Sequence, residues 1–187
     1  MPFITRDLLR KRSEHNESVL MTLEEISLHQ QKLEKIELLD VYCRHLQILL
    51  LQDNLIEKME GLSKLKELKY VNIGVNSISI VEGVRGCESL QKLDLTLNFV
   101  DIEDLEESID NLAELPDFRE LYMVGNPCTD WEYFKDYCVA RLEHLGRIEG
   151  EDISKSWRLQ AKQNLPDMEK KLVIAARKSI EKKVLED

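Results

Sequence analysis

An asparagine recurs every 22 residues, at Asn54, Asn76 and Asn98, and each one ends the same phrase. The phrases read Leu46-Gln-Ile-Leu49-Leu-Leu51-Gln-Asp-Asn54, Leu68-Lys-Tyr-Val71-Asn-Ile73-Gly-Val-Asn76 and Leu90-Gln-Lys-Leu93-Asp-Leu95-Thr-Leu-Asn98. A further copy, Phe118-Arg-Glu-Leu121-Tyr-Met123-Val-Gly-Asn126, follows after 28 residues. Upstream, Leu23-Glu-Glu-Ile26-Ser-Leu28-His-Gln-Gln31 is a degenerate first copy with Gln in the Asn place. One such unit is too small to bury its own apolar face, so neighbouring units must stack into a solenoid.

The apolar residues at the first, fourth and sixth places of each phrase point inward, and the fourth and sixth alternate as a short strand requires. The asparagine closes the following turn, where its amide meets backbone groups of adjacent coils that would otherwise be buried without partners. Ile56, Met59, Leu62 and Leu65, then Ile78, Val81, Val84 and Cys87, are spaced by three. That spacing predicts a tight helical or 3₁₀ segment on the convex side. The fold class is therefore α/β, a leucine-rich-repeat solenoid of about five repeats of the 22-residue SDS22-like type, with a parallel sheet on its concave side. In the longer fourth unit, Ile102, Leu105, Ile109 and Leu112 recur at three or four, which predicts an α-helix ended by Pro116. Its other face carries Asp101, Glu103, Asp104, Glu106, Glu107, Asp110 and Glu114, read as a solvated acidic surface.

The ends supply caps. Residues 1–22 hold a helix N-capped by Thr5, with Ile4, Leu8 and Leu9 on an apolar edge and Arg6, Arg10, Lys11 and Arg12 opposite. The repeats occupy 23–128. Residues 129–153 crowd Trp131, Tyr133, Phe134, Tyr137, Val139, Leu142, Leu145 and Ile148 into a C-terminal cap, a helix followed by a last strand-like stretch. These aromatics are expected in the core. Residues 154–187 form a charged helical tail, read as two helices, 154–163 and 167–186, separated by Pro166. A narrow stripe of Met168, Leu172, Ala175 or Ala176, Ile180 and Val184 is too short for a long coiled coil. It allows the tail to fold back on the array, pair with another chain or stay a mobile linker.

Net charge is −10, and residues 23–150 carry about −13 of it. Such a field disfavours nucleic acid and anionic membrane as partners. No apolar run reaches membrane-spanning length, and the opening residues lack a signal-peptide core. The four cysteines, 43, 87, 128 and 138, form no C-x-x-C pair and read as reduced, intracellular thiols. The histidines lack ligand-like spacing, and no phosphate loop or nucleophile motif is present. We expect no metal, no cofactor and no catalysis.

Alternate strand residues face out of the concave sheet. The expected protein-binding set is His29, Ile48, Leu50, Gln52, Tyr70, Asn72, Lys92, Asp94, Tyr122 and Val124. Ile48, Leu50, Tyr70 and Tyr122 are apolar or aromatic where solubility asks only for polarity, and are expected side by side on adjacent strands. His29 and Lys92 are expected to tune a polar rim. An apolar centre inside a polar rim is the pattern of a protein-binding patch. Leu55, Val75, Leu97 and Phe99 lie beside it at the strands' trailing edge.

Residues outside the repeat consensus narrow the choice. Ile4-Thr-Arg-Asp-Leu-Leu-Arg-Lys-Arg-Ser-Glu-His-Asn16, Ser27-Leu-His-Gln-Gln31, Leu93-Asp-Leu-Thr-Leu-Asn-Phe99 and Met123-Val-Gly-Asn-Pro-Cys128 closely resemble the tilB family, leucine-rich-repeat factors for axonemal dynein assembly. The likeness covers nearly all of 1–155. Glu143 and Ile148-Glu149-Gly150 depart from it, standing where the family cap tends to have Pro and Leu-Asp-Gly.

Family members continue into a charged helical region and a CS-like β-sandwich, so the chain is expected to be a fragment. The resemblance implies a non-enzymatic adaptor in cytoplasmic pre-assembly of dynein arms for cilia and flagella. The implied partners are axonemal dynein chains, other assembly factors such as the family's MYND-zinc-finger partner, and chaperones, with the chain itself a monomer. The competing readings are an SDS22-like regulatory subunit of a serine/threonine phosphatase and a structural subunit of an axonemal or spliceosomal particle.

Overall fold

The structure is a computed structural model that describes residues 3–186. Three-residue strands repeat at the predicted places: β1 (Glu25–Ser27), β2 (Ile48–Leu50), β3 (Tyr70–Asn72), β4 (Lys92–Asp94) and β5 (Glu120–Tyr122). They form a parallel sheet in sequence order, continued by β6 (Arg147–Ile148) and closed by the antiparallel β7 (Glu151–Asp152). Ile26, Leu49, Val71, Leu93, Leu121 and Ile148 stand in register and are fully buried. At full burial each contributes about 1.5–3 kcal/mol.

The asparagines hold the coils together. Asn76 donates to Leu51 O and Ile73 O, both at 3.0 Å, and accepts from Ile56 N at 3.0 Å. Asn98 repeats this one coil on, donating to Ile73 O and Leu95 O and accepting from Ile78 N. Asn54 and Asn126 do the same in their own coils. Gln31 has no earlier coil to reach, and its amide turns back to His29 O at 2.9 Å.

The convex side corrects one expectation. Ile56, Met59, Leu62, Leu65, Ile78, Val81, Val84 and Cys87 are all buried, yet 55–69 and 77–91 contain no helix. Isolated turns, such as Leu65 N to Leu62 O at 2.9 Å and Cys87 N to Val84 O at 2.8 Å, replace it. The coils also stack too closely there to admit helical bulk: a Cβ on Gly86 would lie 1.8 Å from Ser63 O. Where the unit is longer, α3 (Ile102–Ala113) forms as predicted, N-capped by Asp101 and buried through Ile102, Leu105, Ile109 and Leu112. A short α2 (Leu39–Tyr42) serves the same side between β1 and β2.

At the front, α1 (Arg6–Arg12) is capped by Thr5 Oγ1, which accepts from Leu8 N at 3.1 Å. It buries Leu9 against the first coil. The helix ends at Arg12, where Ser13 interrupts it, and Glu14–Asn16 forms a separate 3₁₀ turn. At the back, α4 (Phe134–Arg141) buries Phe134, Tyr137 and Cys138.

The tail corrects a second expectation. A single helix, α5 (Lys155–Glu186), runs straight through Pro166 and packs on α4 and α3. Trp157, Ala161, Leu165, Met168, Leu172 and Ala175 make one stripe against the core, continuous across the proline. Pro166 and Lys162 are both exposed, so the Lys162 carbonyl that loses its helical donor faces water. Tertiary packing thus outweighs the local break. Arg158 fastens the helix to the cap, donating to Val139 O at 2.7 Å in the last turn of α4, and to Leu142 O at 2.9 Å and Leu145 O just past it.

The acidic face of α3 is consequently less solvated than its composition suggested. Lys183 of α5 reaches Asp101 at 2.8 Å and also Glu103, while Arg141 takes Asp110 and Arg85 takes Glu114.

Candidate functional site

The strand register sorts the concave face into rows. Glu25, Ile48, Tyr70, Lys92, Glu120 and Arg147 form the first row, one residue per strand. Ser27, Leu50, Asn72, Asp94 and Tyr122 form the second. His29, Gln52 and Val124 lie just past the strands. All ten predicted binding residues are half-buried or exposed, whereas their sequence neighbours Leu49, Val71, Leu93 and Leu121 are wholly buried.

The expected contiguity holds only in part. Ile48 pairs with Tyr70 across β2 and β3, with Leu50 beside them, so these three make one apolar patch. Tyr122 is separated from it by β4, whose Lys92 and Asp94 occupy the gap. Lys92 therefore stands at the centre of the face rather than on its rim. Its ammonium lies 4.9 Å from the Tyr70 ring centroid and 5.1 Å from that of Tyr122. Two aromatic faces on flanking strands hold the cation in place.

Glu120 anchors the far side. It accepts from the Tyr122 hydroxyl at 2.6 Å and lies 3.8 Å from both Lys92 and Arg147. That hydrogen bond pushes the Tyr122 phenol up, and burial, then the Asp94 carboxylate, raises that of Tyr70. Both phenols thus stay neutral donors at neutral pH. Asn72 and Asp94 are half spent on their own backbone, accepting from Gly74 N at 3.0 Å and Thr96 N at 2.9 Å. Gln52 Oε1 is shielded from solvent without a hydrogen-bond partner. His29 Nδ1 meets Ser27 Oγ at 2.6 Å, and Arg12 of α1 bonds Ser27 O at 2.7 Å, so the front cap braces that edge.

Glu120 and Arg147 were not in the predicted set. Arg147 belongs to the cap strand, outside the repeat phrase that defined the register, and only its pairing with Glu120 reveals it. A depression of about 330 Å³ opens at the leading end of the first row, between Ile48, Tyr70, Lys92 and Glu120. It sets an apolar patch beside a fixed cation and its carboxylate, an arrangement suited to recognition rather than to bond-making.

The chain's nucleophiles lie elsewhere. Cys43, Cys87, Cys128 and Cys138 are free and buried, and burial pushes the Cys43 thiol up to about 11 and that of Cys87 to about 12. Among the described residues no three His, Cys, Asp or Glu side chains are grouped to hold a metal ion. Among them, too, no helix is long and apolar enough to cross a membrane.

Stacked coils, an asparagine ladder and an outward-facing parallel sheet define the class, and a family model described as leucine-rich repeat matches residues 1–177. The chain belongs to the leucine-rich repeat family. Within it, the sequence is 47% identical to protein tilB of Drosophila melanogaster over 187 residues, all of this chain and 46% of that protein. It is 44% identical to dynein axonemal assembly factor 11 of Mus musculus over 169 residues, 90% of this chain and 35% of that one. The factor of the same name from Trypanosoma brucei brucei is 47% identical over 166 residues, 88% of this chain and 42% of that one.

The chain thus spans between about a third and a half of the length of these relatives. Among solved structures, a chain of the Drosophila melanogaster SNF/U2A′ complex superposes with a TM-score of 0.75 over 91% of this chain and 99% of its own. At 22% identity that likeness concerns the fold alone.

Proposed function

We propose that this chain is the partner-holding repeat domain of a factor that assembles axonemal dynein arms before their delivery to cilia or flagella, acting in the cytoplasm by binding and without turnover. The observation that carries the reading is the 44–47% identity along at least 88% of the chain to proteins named for dynein axonemal assembly or tilB. The concave face supports it, since the Ile48, Leu50 and Tyr70 patch beside Lys92 has no role in the fold's own packing. Its occupant is a dynein chain or another assembly factor.

The test is affinity capture from ciliated or flagellated cells, with the chain and its Leu50→Asp/Tyr70→Asp variant as baits. The unchanged chain should recover dynein chains or assembly factors, and the variant should lose them. Thermal stability should move by no more than about 0.5 kcal/mol, as for surface positions generally. Recovery of phosphatase catalytic subunits or splicing proteins without dynein components would sink the proposal. A large fall in melting temperature would instead show that Leu50 and Tyr70 belong to the core.

A further inference from the structure

A second surface lies along the trailing edge of the strands. Leu55, Val75, Leu97, Phe99 and Val124 are each between 46% and 61% exposed. Asp53, Val75, Leu97 and Gly125 occupy equivalent places in successive coils, joined by Asp53 N to Gly74 O, Val75 N to Thr96 O and Leu97 N to Val124 O. All four have positive φ, from 54° at Val75 to 82° at Gly125. Asp and Gly tolerate that region, but a β-branched valine there is strained. Val75 and Leu97 thus carry two costs at once, backbone strain and apolar exposure. Gly125 extends the ridge: a Cβ there would come within 2.5 Å of Leu97 Cδ2, so its absence lets the leucine lie across the next coil.

The ridge runs into a groove of about 460 Å³ in the C-terminal cap. Val124 lines it together with Trp131, Trp157, Glu132, Asp136 and Glu149. The cap's aromatics are not all fully buried: Tyr137 and Phe134 are, while Trp131 is half-buried and, with Trp157 of α5, packs on the core by one side and lines this groove. Asp136 accepts from Trp157 Nε1 at 2.6 Å, fixing that ring. The Glu149 carboxylate accepts from Met123 N at 2.6 Å and from Val124 N at 3.3 Å. Lys135, the one cation on the lining, is taken by Glu151 at 3.2 Å. Two indoles and three carboxylates against one neutralised lysine make a cavity suited to a guanidinium or ammonium group.

We propose that this edge, with Val124 counted to it rather than to the concave set, is a second docking surface beside the concave face, and that its occupant is an amphipathic helix of a protein partner. Apolar residues on successive turns of that helix sit on Val75, Leu97 and Val124, and an arginine or lysine on the next turn enters the tryptophan groove. The spacing favours a helix over a strand. Coils recur at about 4.8 Å and helical turns at about 5.4 Å, so two steps misalign by roughly 1 Å. One face of an extended strand repeats at about 6.7 Å and misaligns by roughly 4 Å over the same distance. The acidic groove supplies the complementary charge for the basic residue.

Because both tryptophans of the chain line the groove, indole fluorescence and the two indole N–H resonances report on it directly. The probe is an amidated helical peptide with leucines on three successive turns and arginine on the next, compared with the same peptide carrying glutamine for arginine. The arginine peptide should change the indole signals saturably and bind about tenfold more tightly than the glutamine peptide. Leu97→Asp should weaken it at least tenfold, and Glu132→Lys should erase the preference for arginine. Val75→Asn should bind more weakly while melting about 2–4 °C higher, since asparagine relieves the strain.

Leu50→Asp/Tyr70→Asp should bind the peptide unchanged, which keeps this result separate from that of the concave face. Equal binding of the two peptides, no indole response at millimolar peptide, or resonance shifts confined to the concave strands would each overturn the proposal.

Discussion

Asn98→Ala is expected to cost about 3–5 kcal/mol and to lower the melting temperature by about 10–15 °C, measured by denaturant and thermal unfolding. The substitution removes one small side chain, breaks three hydrogen bonds to backbone and strands one buried N–H. Ile78 N loses its acceptor, while Ile73 O and Leu95 O each lose one of two amide donors and keep those of Asn76 and Asn126. Asn98 is 2% exposed, so water has little access to replace it. The stranded N–H costs about 1–3 kcal/mol and each of the two lost hydrogen bonds about 0.5–1.5 kcal/mol. Asn164→Ala, on the exposed side of α5, should stay within about 0.5 kcal/mol of the unchanged chain. A loss below about 1 kcal/mol at Asn98 would mean that the ladder is not what closes the coils.

Gly86→Ala is expected to destabilise by about 2–3 kcal/mol, for a steric reason. The added methyl would meet backbone atoms of the previous coil, Ser63 O at 1.8 Å and Ser63 C at 2.6 Å, and backbone cannot rotate away as a side chain can. The coils must part locally, loosening the apolar contacts around Cys87 and Leu62. Gly146→Ala is the matched control, because its nearest neighbour would be Arg119 O at 3.7 Å. That variant should unfold within about 0.5 kcal/mol of the unchanged chain. Equal behaviour of the two variants would show that coil spacing adjusts freely.

These two positions also show what could be read from the residues alone. The asparagine ladder was legible because one side chain type at one spacing satisfies the same three backbone groups in every coil. The convex side was not. A spacing of three is common to 3₁₀ helix and to any extended backbone that turns a third of a revolution per residue. The apolar positions were therefore right and the helix wrong. Pro166 misled for the opposite reason: a local rule about proline was outweighed by a stripe of packing residues running on both sides of it.

On the concave face, which residues point outward followed from strand alternation, and the ten expected residues all do so. Their electrostatics did not follow, because Lys92 becomes central only once Tyr70 and Tyr122 are known to flank it on neighbouring strands. Arg147 and Trp157 sit outside the repeat phrase, so no periodicity could point to the surfaces they complete.

The return of α5 to Asp101 and Glu103 changes how the array must assemble. In a plain solenoid every contact joins neighbouring coils, and folding can spread from any nucleus in short steps. Lys183 and Glu103 are 80 positions apart. A link of that sequence separation closes a longer loop than any coil-to-coil contact, and it joins places that the stacking of the intervening coils brings together. The helix therefore acts as a late latch, and its closure registers that repeat four, repeat five and the cap have all stacked in the right order.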